Sequence, residues 1–498
     1  MRKYKGWWGV LLVAGLLLSA CGEEQVTQLN LFYAADAEGF YYSRPEPKFD
    51  NRVVGGYAIL KSFLEKQTVP FLFFEGANWS GSSPESAMTQ GAYITPFLQG
   101  LPISAGTVTE ADFTYGWPAL RTIVREQKYP FIVSNLTLEN KIPWPMHDYQ
   151  IFTQDGIKIG VLGIVSPRVV EWHKSRLAGF AVADPVERAR EMTALLREKG
   201  VDFVIVISSL GESDPDWTDS SLAAEVGDID LILSARRGYE NAEQEQVGRT
   251  WIIYPGSQLD SISHIVLTFD ENKQLKDFAF EDLPLFEDQY GADEAAAAQI
   301  QELREKTRPK MTARLTQSDA DVPHHLARES ELGNLLTDCV HRWSRLDGVI
   351  LNSDSLRNPL AKGVIHEYDL YNTYPYGDNI TFITIRGKDL IRALEASLET
   401  KDNFPQIAGF HVNYNPADEP GHKIRQVVLD NGRIVRPEEK YRLAVTDHIL
   451  AGGFEHDYFI NSLEFKNTFV EARQIMRSCL AKQKNLKIPA LGRWKKVK

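Results

Sequence analysis

Short apolar runs alternate with amphipathic segments through the first half of the chain. The runs have the length of buried strands and lie at residues 29–34, 70–74, 131–134, 158–164, 203–208, 231–233, 252–255 and 262–269. Helical spacing of apolar positions separates several of them, at residues 56–65, 118–127 and 185–199. This alternation of strand and helix predicts a layered sheet flanked by helices.

A helical stretch rich in Ala, Glu and Gln divides the chain. We predict a linker helix over residues 291–310, between a first domain at 28–290 and a second domain at 311–498. The second domain shows its own mixture of helical and strand patterns, beginning with a helix near 332–342. A chain of 498 residues is too long for one compact core, so two domains of the mixed α/β class are expected.

The N-terminus has the pattern of a bacterial export signal. A positive region at residues 2–5 precedes an apolar stretch at 7–18 that is short for a permanent membrane span. Leu18-Ser19-Ala20-Cys21 resembles the bacterial lipobox, whose cysteine receives a lipid. We predict a signal peptide at 1–21 and a lipid anchor on Cys21, at the periplasmic face of an outer membrane or at the cell surface. The alternatives are an ordinary signal peptide with a chance cysteine and an N-terminal anchor helix.

Composition and charge narrow the class of protein. Hydrophobic residues make up 43% of the chain and charged residues 24%, as in globular proteins. A net charge of −12 argues against nucleic acid as a partner. Beyond Cys21, the cysteines are Cys339 and Cys479. They form either one disulfide or two buried thiols, and the sequence leaves this choice open.

Ten short motifs follow one another in the order found in a known family of enzymes. In the first domain they are LFYAADAEG at 31–39, FEGANWSGSSP at 74–84, TEADFTYG at 109–116, VDFVIVISSLG at 201–211 and DIDLILSARRG at 228–238. In the second domain they are ESELGNLLTD at 329–338, LNSDSLR at 351–357, YPYG at 374–377, RG at 386–387 and AGG at 451–453. The first set resembles the site loops of calcineurin-like metallophosphoesterases, and the second set resembles the 5′-nucleotidase C-terminal domain. The resemblance implies an N-terminal β-sandwich flanked by helices and a smaller α/β C-terminal domain.

The resemblance also implies a site for two divalent metals, which polarise a phosphate and activate a water molecule. Asp36 stands where the family has its first Asp, but Glu38 replaces a His and Ala77 replaces the bridging Asp. The other ligand positions are also changed: Glu110 and Ala111 for Asn-His, Thr114 for a supporting Asp, Ser209 for a His, and Ala235-Arg236-Arg237-Gly238 for Gly-His-x-His. We therefore predict no dimetal catalysis and assign no catalytic residue. The residual metal candidates are Asp36, Glu38, Glu110 and Asp112.

Two arginines occupy the last of these loops. At about 4 Å and an effective dielectric near 20, the charge of Arg236 repels a dication by about 8 kcal/mol. Arg236 and Arg237 are predicted either to bind an anion through their forked donors or to fill the pocket. In the second case, which we prefer, they pair with Glu38, Glu110 or Asp112, because acidic residues in a metal-free pocket need a counter-charge.

The second domain keeps more of the family's binding residues. In relatives, an Asn-x-x-x-x-Arg loop grips the substrate and two aromatic rings enclose the base. Asn352 and Arg357 keep that spacing here. Tyr376 stands where the first ring belongs, and Tyr458 is our candidate for the second. Other aromatic candidates in the same loop are Phe454 and His456.

Three functions remain open. The first, which we favour, is a cell-envelope lipoprotein of the 5′-nucleotidase family without dimetal catalysis and without a cofactor. It binds a nucleotide-like or other anionic ligand, or a protein partner of the envelope. The second is an active phosphoesterase that hydrolyses nucleotides with a divalent metal held by the residual acidic residues. The third is a structural or assembly lipoprotein, for which the fold is only a scaffold.

Overall fold

The computed structural model describes residues 26–497, except 82, 174–175, 213, 215, 236–241, 400–402, 451–458 and 460–461. The predicted signal peptide and the predicted lipidation site, Cys21, therefore lie outside the described residues. In the part of the chain that the structure describes, no helix is both long enough and apolar enough to cross a lipid bilayer.

Two main sheets build the first domain. Its strands are β1 (Thr27–Ala34), β2 (Arg44–Glu46), β3 (Arg52–Val54), β4 (Phe71–Glu75), β5 (Ala105–Gly106), β6 (Leu136–Leu138), β7 (Tyr149–Gln154), β8 (Ile157–Ile164), β9 (Phe180–Val182), β10 (Phe203–Ser208), β11 (Leu231–Ser234), β12 (Glu243–Val247), β13 (Thr250–Tyr254), β14 (Ser261–Phe269) and β15 (Leu275–Pro284). One sheet has the order β15-β14-β1-β4-β5, and the other has the order β12-β13-β11-β10-β8-β7. Strands β1 and β4 are parallel, as are β8, β10, β11 and β13.

The two sheets face each other across an apolar layer. Alternate residues of β1, including Leu31 and Tyr33, lie in this layer with Ile159 of β8 and Ile205 of β10. The outer faces are covered by helices, which are α1 (Tyr57–Glu65), α2 (Pro84–Thr89), α3 (Thr95–Gln99), α4 (Trp117–Glu126), α5 (Arg168–Trp172), α6 (Pro185–Glu198) and α7 (Asp219–Glu225). The apolar faces of α1 and α4 contribute to one outer core and those of α6 and α7 to the other.

A short helix, α8 (Glu287–Tyr290), and a long one, α9 (Glu294–Met311), lead into the second domain. Asp293 caps α9, because its carboxylate accepts the Ala296 backbone N–H at 2.7 Å. The second domain adds strands β16 (Arg314–Ser318), β17 (Gly348–Leu351), β18 (Gly363–His366), β19 (Asn379–Arg386), β20 (Gln406–Ala408), β21 (Phe410–Tyr414), β22 (Ile424–Leu429), β23 (Lys440–Thr446), β24 (Glu464–Glu471) and β25 (Trp494–Lys496). Its helices are α10 (Glu331–Ser344), α11 (Glu367–Thr373), α12 (Gly387–Ser397), α13 (Asp447–Leu450) and α14 (Ala472–Leu480).

A five-stranded sheet of order β20-β17-β23-β19-β24 forms the centre of the second domain. Helices α10 and α14 lie beside each other and are joined by a disulfide between Cys339 and Cys479, whose Cα atoms are 5.7 Å apart. The structure therefore decides the alternative that the sequence left open, in favour of a disulfide.

One predicted strand is not a strand. Residues 131–134 form only isolated bridges, because each backbone group bonds to a different segment. The Ile132 N–H donates to Gly106, that of Val133 to His147 and that of Ser134 to Gly163. Residues 131–134 therefore do not pair continuously with any one neighbouring strand.

Candidate functional site

Parallel strands β1 and β4 end side by side, with Ala34 paired with Glu75. The loops that follow carry Asp36 and Ala77, whose φ angles are 52° and 74°, in the left-handed region. The Asp36 backbone N–H donates to the Ala77 carbonyl at 3.2 Å, so the two loops are tied together. The side-chain amide of Asn78 donates to Asp36 Oδ1 at 2.6 Å. The neutral side-chain amide of Asn78 is therefore a hydrogen-bond partner of Asp36.

Ala77 occupies the position expected for the bridging carboxylate. It is 2% exposed, and its methyl group offers no ligand atom. Its backbone N–H donates to Glu75 Oε2 at 2.8 Å. The loop is thus held by the carboxyl group of Glu75, which bonds to the backbone of Ala77. The family resemblance implies a metal-binding carboxylate as the side chain of residue 77 itself.

Asp112 is committed to the backbone. Both of its oxygens accept the Asn78 N–H at 3.2 Å, and Oδ2 also accepts the Thr109 N–H at 2.9 Å and the Thr109 hydroxyl at 3.1 Å. Asp112 and Thr109 form a capping box at the start of a short 3-10 helix, Glu110–Tyr115. Burial raises the pKa of Asp112 to about 6, although these hydrogen bonds lower it.

The two glutamates among the residual metal candidates have different surroundings. Glu38 accepts a hydrogen bond from Gln258 Nε2 at 3.1 Å and lines the large cleft of the molecule. The backbone carbonyl of Glu110 is 2.7 Å from Nε2 of His173. Burial lowers the pKa of His173 to about 3, which keeps this imidazole neutral.

These donors do not fit a dimetal site. Within the described ranges, no group of three or more His, Cys, Asp or Glu residues is arranged to hold a metal ion. Asp112 uses its oxygens on backbone N–H groups, and Ala77 supplies nothing. Arg236 and Arg237 lie outside the described residues, so their pairing with Glu38, Glu110 or Asp112 stays a prediction.

Glu75 is a buried acid that our sequence interpretation missed. It is fully buried at the end of β4, where Oε2 also accepts the indole N–H of Trp79 at 2.5 Å. Burial raises its pKa to about 8, so the carboxyl is mostly protonated at neutral pH. The sequence feature that could have identified it is an acidic residue at the end of an otherwise apolar strand, Phe71–Glu75.

The other sheet ends in hydroxyl groups where the family has imidazoles. Ser209 is fully buried, and its hydroxyl accepts the Ser166 N–H at 3.0 Å. The Ser234 hydroxyl donates to Asp219 Oδ2 at 2.6 Å. Burial raises the pKa of Asp219 to about 7. Ser209 is thus bonded to backbone, and Ser234 and Asp219 are bonded to each other.

The predicted binding residues of the second domain separate into two places. Arg357 is exposed, and its Nε donates to the Tyr376 hydroxyl at 2.7 Å. Asn352 is 1% exposed, and its amide donates to Asp354. Asn352 lies behind the surface that Arg357 and Tyr376 present, and its contact with a ligand stays a prediction. Tyr458, Phe454 and His456 lie outside the described residues.

A large cleft joins the two halves of the site. It has a volume of about 1220 Å³ and is bounded by the first domain, α9 and the second domain. Glu38 and Asn78 line it from the first domain, and Arg357 and Tyr376 line it from the second. Further aromatic rings along its wall belong to Phe40, Tyr41, Tyr42, Tyr368 and Tyr371. Rings together with a few polar and charged groups are typical of small-molecule sites.

Comparison with known proteins agrees with this architecture. Residues 309–459 match the model of the 5′-nucleotidase C-terminal domain. A putative 5′-nucleotidase from Staphylococcus aureus, solved with α-ketoglutarate, superposes with a TM-score of 0.79. At 18% identity, the superposition covers 94% of this chain and 100% of that one. The second domain, over residues 309–459, belongs to the 5′-nucleotidase C-terminal domain family. The predicted fold of the chain, a metallophosphoesterase-like sandwich followed by a smaller 5′-nucleotidase C-terminal domain, is confirmed.

Two curated relatives of this chain are longer proteins. The trifunctional nucleotide phosphoesterase protein YfkN of Bacillus subtilis is 23% identical over 84% of this chain and 31% of its own length. The cell wall protein Lmo0130 of Listeria monocytogenes is 21% identical over 80% of this chain and 60% of its own length. The chain thus spans less than two thirds of the length of these relatives.

Proposed function

We propose that the chain is an exported binding protein of the 5′-nucleotidase family, which holds a nucleoside- or nucleotide-like ligand in its cleft and does not hydrolyse it with two metals. The observation that carries this proposal is the contrast between the two walls of the cleft. Tyr376 and Arg357 offer a ring and a guanidinium on one wall. On the first-domain side, next to the lining residue Asn78, Asp112 is bonded to backbone and Ala77 offers no ligand atom.

The chemistry of the second-domain wall suits a planar ligand with an anionic group. A tyrosine face stacks on an aromatic base, and a guanidinium binds phosphate or carboxylate through two parallel donors. Arg357 is exposed, and its Nε donates to a phenol, which is a neutral acceptor that an anion can displace. In this proposal the protein needs no resident metal or other cofactor.

We also propose that the chain is anchored in the cell envelope by a lipid on Cys21. The lipobox-like sequence at 18–21 supports this, together with the likeness to a cell wall protein. Expression with labelled palmitate tests it directly. Label should enter the chain and be lost in Cys21→Ser, while Cys339→Ser keeps it. A Cys21→Ser chain that still carries the label contradicts the lipid anchor.

Binding is tested on the soluble part of the chain, from residue 22 onward, by thermal shift and calorimetry with adenosine and AMP. Tyr376→Ala should abolish the shift with either compound. Trp144→Ala removes a ring that is 61% exposed and lies outside the cleft, and should leave the shift unchanged. Absence of any shift in the wild-type chain with nucleosides and nucleotides contradicts the proposal, and favours a scaffold or a site for an envelope protein.

The enzyme alternative is tested on the same preparation. Phosphatase activity toward AMP and a general aryl phosphate should stay at the background level with Mn²⁺, Co²⁺, Zn²⁺ or Mg²⁺, and elemental analysis should find less than one metal per chain. Turnover that depends on metal and disappears in Asp36→Ala would establish a phosphoesterase instead.

A further inference from the structure

Arg176 of the first domain reaches into the second domain. It lies between α5 and β9, and its side chain is 11% exposed. Its Nη2 donates to the backbone carbonyl of Gly377 at 2.6 Å and is 3.3 Å from Asp447 Oδ2. The Asp447 side chain is itself only 10% exposed. The contact is therefore a nearly dry ion pair across the domain boundary.

The acceptors around this guanidinium all come from the second domain. With its amide oxygen turned toward Arg176, Asn379 accepts from Nη2 at 2.8 Å and from Nε at 3.1 Å. The Asn379 backbone N–H in turn donates to Asp447 Oδ1 at 2.9 Å. The planar guanidinium of one arginine thus joins a carbonyl, an amide and a carboxylate, with donors on two nitrogens in a fixed geometry that a lysine lacks.

The first-domain end of this contact is fixed as well. The Arg176 backbone N–H donates to the His173 carbonyl at 2.7 Å. The His173 ring is buried and is bonded to the Glu110 carbonyl at 2.7 Å. The turn that carries Arg176 is therefore tied to the loop of the candidate site, and Arg176 does not hang from a free surface segment.

The target of Arg176 is the turn that carries Tyr376. Arg473 of the second domain holds the beginning of this turn, by donating to the carbonyls of Tyr374 at 3.1 Å and Pro375 at 2.7 Å. Arg176 holds its end at Gly377. One side of the Tyr376 turn is thus fixed by its own domain and the other side by the first domain.

We propose that Arg176 is a positioning residue that couples the docking of the two domains to the placement of Tyr376 in the cleft. Separation of the domains takes the guanidinium away from Gly377, Asn379 and Asp447 together. It also breaks the ion pair between Arg176 and Asp447, both of which are nearly buried in the docked arrangement. The relevance for a ligand rests on the proposed function, whereas the docking itself does not.

Docking is tested without any ligand, on the soluble wild-type chain and on Arg176→Met, which keeps the bulk of the side chain but loses the fork. Small-angle scattering should give a larger radius of gyration for the variant. Hydrogen exchange in a peptide that covers residues 374–380 should become about tenfold faster or more. Arg176→Lys, with the charge but without the fork, should fall between the two.

Arg188→Met is the matched control. Arg188 also donates to a carbonyl, that of Ser134 at 2.8 Å, and to a carboxylate, that of Glu191 at 2.6 Å, but both partners belong to the first domain. It should change neither the scattering nor the exchange at 374–380. Wild-type scattering and wild-type exchange in Arg176→Met would overturn the proposal.

The ligand arm uses AMP as the probe. Arg176→Met should raise the dissociation constant for AMP about tenfold, while Tyr376→Ala abolishes binding without changing the scattering curve. If wild-type chain does not bind AMP, the proposed function fails, and the docking role is still decided by scattering and exchange. If AMP binds Arg176→Met as tightly as wild type while the domains separate, the coupling to Tyr376 is overturned.

Discussion

The side-chain amide of Asn78 donates to the carboxylate of Asp36 at 2.6 Å. In a dimetal site this carboxylate faces a dication and a bridging acid. Here an amide bonds to it, and the bridging position is the methyl of Ala77. Asp36 is therefore stabilised in part by a neutral hydrogen-bond donor from the neighbouring loop.

An acidic side chain at position 77 should destabilise the protein. Ala77→Asp adds a buried carboxylate close to the acidic residues Asp36 and Glu75. Ala77→Asn is the matched control, because Asn has the same shape, lacks the charge and tolerates the φ of 74°. We expect the Asp variant to be less stable than the Asn variant by about 2 kcal/mol in urea unfolding. Added Mn²⁺ should not restore it; a stabilisation by Mn²⁺ that is limited to the Asp variant would show that a metal site had been rebuilt.

The buried Glu75 should make the protein less stable as the pH rises. Its pKa is raised to about 8 by burial, from an ordinary value of 4.5. Between these values the folded chain holds a proton that the unfolded chain has released. The stabilisation is complete below about pH 4.5 and is lost as the pH rises toward 8, with a slope of at most about 1.4 kcal/mol per pH unit.

The window from pH 7 to 8 isolates this effect. Burial raises the pKa of Asp219 to about 7 and that of Asp112 to about 6, so both contribute mainly at lower pH. His173 has the opposite sign, because its pKa is lowered, and its contribution changes only below about 6.5. Urea unfolding should show a fall in stability from pH 7 to 8 that Glu75→Gln removes. Glu294→Gln, an exposed change, should keep the fall, and a flat wild-type profile would contradict the prediction.

The sequence predicted the central strands well because their apolar runs are continuous. Residues 203–208 are β10, and 262–269 differ from β14 by one residue. It did not predict β15 and β24, which lie at sheet edges and carry charged residues between their apolar ones, so their pattern resembles a loop.

The sequence predicted which loops form the site, but not the hydrogen bonds that their side chains make. Asp36, Ala77 and Asp112 follow from motif order, because loops after parallel strands meet at one edge. The commitment of Asp112 to the Asn78 N–H depends on the approach of a loop 34 positions away in the chain, which no local pattern encodes. The burial of Asn352 and its bond to Asp354 likewise depend on packing within the second domain.

The hydroxyl of Tyr376 should tune selectivity for the phosphate of a ligand. In the structure it accepts from Arg357 Nε at 2.7 Å, so it competes with an anion that approaches this edge of the guanidinium. Tyr376→Phe keeps the ring and removes this competitor. Calorimetry should show an AMP affinity that rises by about tenfold relative to adenosine affinity, since about 1.4 kcal/mol of a competing bond is removed. Arg357→Met should abolish the preference for AMP. An unchanged ratio in Tyr376→Phe would show that Arg357 does not serve the ligand's anionic group.

The Cys339–Cys479 disulfide should stabilise the second domain substantially. It closes a loop with a sequence separation of 140 residues, and it links α10 to α14 on one side of the central sheet. Loop-closure entropy for such a length predicts a loss of about 5 kcal/mol on its removal. Urea unfolding of Cys339→Ala/Cys479→Ala should show this loss, and dithiothreitol should reproduce it in the wild type but not in the double variant. The tryptophan Trp494 of the second domain reports the transition, whereas a first-domain transition at an unchanged midpoint is the internal control. If reduction lowers the stability of neither domain, the disulfide contributes nothing measurable to stability. Cys339 and Cys479 then act only as small buried apolar groups.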